Sequence, residues 1–294
     1  MGRAAIGGGG QLWASLVPFR SVWWFRGVAL LRLALQLYST IARKGTWPIM
    51  DVKTASRTIE VFEAFAREQK PLTLTDLARH LDAPTSSCLY LVRTLEKLGY
   101  LYGLGARKNV YPTRKLMDVA IAIAQGEPWI DRIEPVLVNL RNESQETVIL
   151  GKRQGTRVVY LAVYEGSQTI RYAARAGDLK PLHSSAIGKA MLGVLSKSDL
   201  NKMLEKIDLT AVTPNTITDD SKLVADIKKG TARGYTISRG ENVHDVMAIA
   251  KAITLDTDNY GIAIAAPLYR LKDNIAIQVE RLLAAASEAV DRCK

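Results

Sequence analysis

Two short amphipathic segments separated by a tight turn lie between residues 71 and 102. The first carries apolar residues at helical spacing as far as Leu81, and Asp82-Ala83-Pro84 then marks a turn. The second repeats the helical spacing and stops at Gly99. Two helices joined by so short a turn form a helix-turn-helix, whose second helix enters the major groove of DNA. The sequence therefore predicts a DNA-binding module.

The residues after Gly99 are typical of a wing. A β-like run, Tyr100-Leu101-Tyr102, is followed by a glycine-rich basic tip and a second short run at Val110-Tyr111. Arg107 and Lys108 in the tip suit contact with phosphates or with the minor groove. We predict a winged helix-turn-helix domain over residues 50–115.

The second helix of this module has a polar face that suits DNA contact. Its apolar spacing turns Ser86, Ser87, Tyr90 and Arg93 outward. Short hydroxyl side chains near a helix start reach phosphates or base edges, and arginine serves either purpose. A winged helix that contacts only other proteins remains the alternative.

Net charge and cysteine content limit the kinds of partner and the cellular location that we expect for this protein. Of the net charge of +11, residues 1–50 contribute +6, residues 51–115 contribute +4 and residues 116–294 contribute +1. The excess on the helix-turn-helix is expected for double-stranded operator DNA, although an ordinary solvated surface is the alternative. Cys88 and Cys293 are too few for a zinc site or a disulfide framework, so we expect a reducing, cytoplasmic location and no cofactor or metal.

Residues 1–49 differ from the rest of the chain. This segment is rich in tryptophan and apolar residues, but Arg20, Arg26 and Arg32 interrupt every stretch long enough for a membrane helix. We interpret it as an extension, translated from a mis-assigned start or disordered, upstream of a recognisable protein that begins at Met50. A membrane is not expected as a partner. A sensor that associates with membranes through an interfacial helix in this segment remains an alternative.

The remaining residues predict a linker and an α+β domain. Leu116 to Ala124 forms an apolar helix, and the Gln-Gly-Glu-Pro stretch that follows predicts a linker over residues 116–128. Alternating apolar residues and short turns then predict a mainly antiparallel sheet flanked by helices over residues 129–294. The predicted strands are 147–150, 157–164, 169–175, 235–238, 248–254 and 261–267.

The order of these motifs resembles the IclR family of bacterial transcriptional regulators. The resemblance covers residues 52–292 and includes SRTIEVFEAF, LVRTLEKLGYL and ETVILGKRQGTRVVYLAVYEG; its most specific block is PLHSSAIGKAML. It implies a winged helix joined by a linker helix to a GAF-like effector-binding domain, in a homodimer or a dimer of dimers. The implied function is ligand-responsive regulation of a catabolic operon.

The block after Pro181 predicts an anion site, because a loop of small residues enters a helix whose first N–H groups are free. The resemblance implies that Ser185, Ala186 and Ile187 hold the carboxylate of a small organic acid. Ile187 is large for this loop, so an aromatic or sugar-derived acid is an alternative to a glyoxylate-like one.

A second stretch is implied to face this loop. Ser238 and Arg239 stand where the family commonly has acids, and Ala248 where it commonly has cysteine. Arg239, with Arg171 or Arg175, could pair with a second negative group on the ligand. The alternative places Arg239 on a solvated loop.

A hydrolase is the rival interpretation. Asp178, His183 and Ser184 or Ser185 supply an acid, a base and a hydroxyl within a few residues. Such a triad is defined by geometry, however, and no nucleophile elbow accompanies it. We therefore expect His183 to hold its loop and the protein not to be an enzyme.

Overall fold

The computed structural model describes residues 52–105, 109–126 and 128–294. The predicted extension, residues 1–49, lies outside the described residues. Within the described ranges no helix is both long and apolar enough to cross a membrane.

The predicted winged helix is present. Thr73 caps the second helix in a reciprocal box, since its hydroxyl accepts from the Asp76 N–H and the Asp76 carboxylate accepts from the Thr73 N–H. Gly99, with φ of 77°, ends the third helix and turns the chain into the wing. The elements are α1 (Lys53–Glu68), α2 (Leu74–His80), α3 (Thr85–Lys97), β1 (Leu101–Leu104) and β2 (Asn109–Pro112).

Two helices follow the wing. Helix α4 (Lys115–Ala124) corresponds to the predicted linker helix, and none of its residues is buried. Helix α5 (Pro128–Ser144) instead buries Ile133, Leu137 and Leu140 at helical spacing. The apolar residues of α4 are therefore available at the surface of the chain.

The C-terminal region contains a six-stranded sheet in which every neighbouring pair is antiparallel. The strand order is β5-β4-β3-β8-β7-β6. The strands are β3 (Thr147–Gln154), β4 (Arg157–Tyr164), β5 (Leu179–Pro181), β6 (Thr236–Arg239), β7 (Val246–Leu255) and β8 (Asp258–Pro267). The helices are α6 (Ala186–Gly193), α7 (Lys197–Leu204), α8 (Asp220–Arg233), α9 (Leu268–Asp273) and α10 (Ile275–Arg292).

Alternate residues of the sheet supply two separate cores. Val148, Leu150 and Ile264 belong to the core shared with α5 and α10, whereas Ile149 and Ala263 belong to the core shared with α6 and α8. Successive side chains of a strand point to opposite faces, which explains why the central strands are apolar throughout. The result is a helix–sheet–helix arrangement, and the predicted α+β class is confirmed.

The predicted strand over residues 169–175 is wrong. Tyr172 and Ala174 are buried while their neighbours are exposed, so the segment has the alternation of a strand. Its backbone does not join the sheet, because β4 pairs instead with β5. The carbonyl of Tyr172 accepts from the Thr147 hydroxyl at 2.6 Å. The alternation of buried and exposed residues in this segment therefore arises because one side of a loop is buried.

Candidate functional site

Helix α3 exposes the polar face that the sequence predicted. Ser86 and Arg93 are exposed, Ser87 is half-buried and the Tyr90 side chain is 70% exposed. The opposite face buries Cys88, Val92 and Leu95 against α1, α2 and the wing. The structure thus brings the four predicted side chains to one accessible surface. Arg107 and Lys108 lie outside the described residues.

The start of α6 is held by its own loop. Ser185 caps the helix: its Oγ accepts from the Gly188 N–H at 3.1 Å and donates to the Pro181 carbonyl at 2.8 Å. Thr236 Oγ1 donates to the Ala186 carbonyl at 2.7 Å, and Ser238 Oγ donates to the Ser184 carbonyl at 2.7 Å. These bonds tie the loop to β6.

A small cavity of about 30 Å³ opens beside this loop. This space is enough for at least one water molecule. Five of the six predicted effector residues line it, and the structure therefore brings together residues more than 50 positions apart in the chain. The lining residues are Ile149, Tyr160, Tyr172, Ser185, Ala186, Ile187, Ser238, Asn242, Val243, Val246, Ala248, Ala263 and Ala265.

Arg239 is not among the lining residues. Its side chain is exposed at the end of β6, and its backbone N–H donates to Glu241 Oε1 at 3.2 Å. Arg171 pairs with the Glu165 carboxylate at 2.6 Å, and Arg175 is exposed. The geometry agrees with the alternative interpretation, in which Arg239 is solvated.

Sequence reasoning missed the two tyrosines of the lining. Tyr160 and Tyr172 reach the cavity from β4 and from the loop before β5, and no motif marks them. Burial raises the pKa of the Tyr160 hydroxyl far above its usual range, and the neighbouring Tyr172 adds to the rise. Tyr160 is therefore a neutral hydrogen-bonding group at any physiological pH.

A buried ion cluster lies next to the loop. Lys189, in the first turns of α6, is fully buried, and its Nζ lies 2.7 Å from Asp226 Oδ2 and 2.7 Å from Glu241 Oε1. Burial raises the pKa of the Glu241 carboxyl, and the Lys189 ammonium opposes that rise. The cluster joins α6, α8 and the loop between β6 and β7.

His183 holds its loop, as expected. It is buried, and its Nε2 lies 3.1 Å from the Thr210 carbonyl, which makes Nε2 the protonated nitrogen. Burial lowers the pKa of His183. The Ser185 hydroxyl donates to Pro181, and the Asp178 carboxylate lies 3.3 Å from Lys180 Nζ. Each member of the proposed hydrolase triad is therefore engaged elsewhere.

An exposed recognition helix in a winged domain, followed by an α+β domain with a cavity, defines a DNA-binding regulator with a ligand-binding C-terminal domain. Residues 54–105 match the family described as "IclR helix-turn-helix domain", and residues 122–292 match "Bacterial transcriptional regulator IclR C-terminal". The chain belongs to the IclR family of transcriptional regulators. Its relatives are transcriptional regulators rather than enzymes, so the hydrolase interpretation does not hold.

Two relatives align in sequence with most of this chain. The regulator BhcR of Paracoccus denitrificans is 29% identical over 242 residues, covering 81% of this chain and 86% of BhcR. The repressor AllR of Escherichia coli K12 is 25% identical over 236 residues, covering 80% of this chain and 85% of AllR.

Solved structures share the fold. The Thermotoga maritima IclR structure has a TM-score of 0.70 at 23% identity and covers 82% of this chain and 98% of its own. An IclR homologue from Microbacterium hydrocarbonoxydans complexed with 4-hydroxybenzoate has a TM-score of 0.65 at 21% identity, with the same coverage. These likenesses show the fold alone.

Proposed function

We propose that this regulator controls a catabolic operon by binding operator DNA through α3 and by responding to a small organic acid bound beside α6. The observation that carries the proposal is the pairing of an exposed polar face on α3 with a separate buried cavity at the start of α6. One surface reads DNA, and the other senses a metabolite. The proposed location is the cytoplasm, where operator DNA is accessible.

The DNA-binding residues in this proposal are Ser86, Ser87, Tyr90 and Arg93 on α3. This assignment is supported by their position on the accessible face of α3, whose other face is buried in the core of the domain. Hydroxyls near the helix start suit phosphate contact, while the arginine fork matches the major-groove edge of guanine. Arg107 and Lys108 of the wing are assigned from the sequence alone.

The proposed assembly is a homodimer, which can pair into a dimer of dimers. Its support is α4, which leaves Leu116, Met117, Ile121 and Ile123 exposed; the Ile123 side chain is 67% exposed. Apolar residues concentrated on one exposed helix favour burial against a second copy. A two-fold dimer would present its recognition helices to half-sites about 34 Å apart or a multiple of that distance.

The effector site in this proposal comprises Ser185, Ala186, Ile187, Ser238 and Ala248. Ser185 satisfies the Gly188 N–H, and the Ala186 and Ile187 N–H groups have no acceptor among the described residues. Such groups at a helix start bind a carboxylate. None of the lining residues is basic, so these N–H groups would be the main anion-binding groups. Arg239 is left out of this assignment.

Binding at the cavity would shift the balance between DNA-competent and other arrangements by no more than the effector's difference in affinity for them. The test is an electrophoretic shift at defined salt with the DNA beside the protein's own gene. Specific binding that a carboxylic acid modulates supports the proposal. If DNA binding is specific but no acid that binds the protein changes its affinity for DNA, the acid is not an effector. If DNA binding is only non-specific, this stretch of DNA is not an operator.

A further inference from the structure

Two glycines that lie directly opposite each other in the sheet contact Ile187, which is one of the residues that line the cavity. Gly151 of β3 pairs with Gly261 of β8, so neighbouring strands both lack a side chain at the same level. Ile187 fills the resulting notch. A Cβ placed on Gly261 would lie 2.6 Å from Ile187 Cγ2, and one placed on Gly151 would lie 3.2 Å from Ile187 Cδ1. Ile187 is therefore in tight contact with the bare backbone of the sheet.

Helix α6 cannot readily withdraw Ile187 from this notch. Gly188 lies against the preceding loop so closely that a Cβ there would be 2.2 Å from the Leu182 carbonyl oxygen. Lys189, the next residue, is anchored by Asp226 and Glu241. Three consecutive residues of α6 are thus held by the sheet, by the loop and by an ion cluster, and moving the helix would disrupt all of these contacts together.

The opposite wall of the cavity is more lightly packed. Asn242 and Val243 come from the loop between β6 and β7, and the Val243 side chain is 40% exposed. Asn242 Oδ1 accepts a long hydrogen bond, 3.4 Å, from the Ser184 hydroxyl. A shift of this loop would therefore disrupt fewer contacts than a shift of Ile187.

We propose that Ile187 is a specificity-determining residue that restricts the site to short-chain acids and excludes ring-bearing acids. The inference rests on the proposed effector site and narrows its ligand class. A short acid could place its carboxylate at the start of α6 and a hydroxyl near Tyr160, Tyr172 or Asn242 by displacing only the lightly packed loop. We expect an aromatic ring to need the volume that Ile187 occupies. Of the two ligand classes that the sequence left open, this inference favours the glyoxylate-like acid over the aromatic one.

The test compares lactate with benzoate on the full-length protein and on Ile187→Ala, with binding followed by thermal shift and calorimetry. Ligand bound only to the folded state raises its stability by mass action. We expect lactate, and not benzoate at the same concentration, to stabilise the parent. Ile187→Ala should gain at least roughly tenfold in benzoate affinity, which corresponds to about 1.4 kcal/mol, so its ratio of benzoate affinity to lactate affinity should rise.

Ile264→Ala is the matched control, because Ile264 is fully buried in the core on the other face of the sheet. It removes the same atoms and should gain no affinity for benzoate. Benzoate affinity that is equal in the parent and in Ile187→Ala overturns the proposal. A gain that Ile264→Ala reproduces also overturns it, because the gain would then follow from loss of stability alone.

The experiment separates this inference from the proposed effector class. If neither acid binds any variant, the proposal that the effector is an acid is contradicted. Neutral benzene then tests whether Ile187 limits the size of the ligand. Stabilisation of Ile187→Ala but not of the parent by benzene supports the limit, while equal shifts overturn it. Should Ile187→Ala fail to fold by circular dichroism, Ile187→Val, which lacks only Cδ1, should show a smaller gain in benzoate affinity, and no gain overturns the proposal.

Discussion

At the residue scale, the contact between Gly261 and Ile187 is a testable unit of packing. Gly261→Ala would place a Cβ 2.6 Å from Ile187 Cγ2, so we expect a loss of about 1–3 kcal/mol in the free energy of unfolding. The loss should shrink in an Ile187→Ala background, because the colliding atoms are then absent. Urea unfolding of the four proteins measures this coupling. Strictly additive losses would show that the two residues do not compete for space.

Arg93 is the residue of α3 best suited to reading a base. Arg93→Ala should weaken binding to the specific operator by about 1–3 kcal/mol if the guanidinium contacts guanine bidentately. Titration of operator and of unrelated DNA at one salt concentration separates loss of specificity from loss of charge. Lys272→Ala removes an exposed cation from α9 and serves as the control. Equal weakening on both DNAs would make Arg93 a phosphate contact.

At the scale of elements, His183 links the α6 loop to the chain around Thr210. Burial holds the pKa of His183 below its ordinary value of 6.5, so the unfolded chain binds this proton more readily than the folded one. The contribution to stability is therefore present above that value and is lost as pH falls through and below it. We expect the urea midpoint to drop between about pH 7.5 and about pH 5.5 by less in His183→Gln than in the parent.

His244→Gln is the control for this pH effect, because His244 is exposed. It should retain the parental drop. If His183→Gln loses stability with acid as steeply as the parent does, groups other than His183 account for the acid sensitivity.

Elements with strong local signals could be predicted from the sequence. Helix α3 was marked by its apolar spacing and by Gly99, and α2 by its apolar spacing as far as Leu81. The short β5 and α9 were missed because three and six residues give too few periods to detect. Residues 169–175 show the alternation of a strand, yet the Tyr172 carbonyl accepts a hydrogen bond from the Thr147 side chain and not from the backbone of a neighbouring strand.

The candidate site was only partly predictable for a related reason. The loop from Ser185 to Ile187 has a local motif, whereas the partners of Lys189 lie 37 and 52 residues away and nothing near them marks the contact. The same holds for Gly151 and Gly261, whose pairing depends on sheet register. Ile187 could be identified as a lining residue, but its role in setting the size of the cavity depends on tertiary structure.

At the scale of the whole molecule, assembly is expected to depend on α4. Ile121→Glu places a charge on its exposed apolar surface and should raise the dimer dissociation constant by at least roughly tenfold, or about 1.4 kcal/mol. Analytical ultracentrifugation measures the constant directly. Ile277→Glu, at a comparably exposed isoleucine of α10, should leave it unchanged. A dimer that tolerates both substitutions equally would place the interface elsewhere.

Because Lys189 is fully buried, its chemical reactivity depends on how often the folded structure around it opens. An ammonium with no accessible surface and two carboxylate partners cannot meet an amine-reactive reagent while α6 stays in place. Covalent labelling of this lysine, followed by peptide mass spectrometry, would therefore count only the moments when the region opens. An effector that tightens its site should slow that labelling while lysines at the surface keep reacting at their original rate.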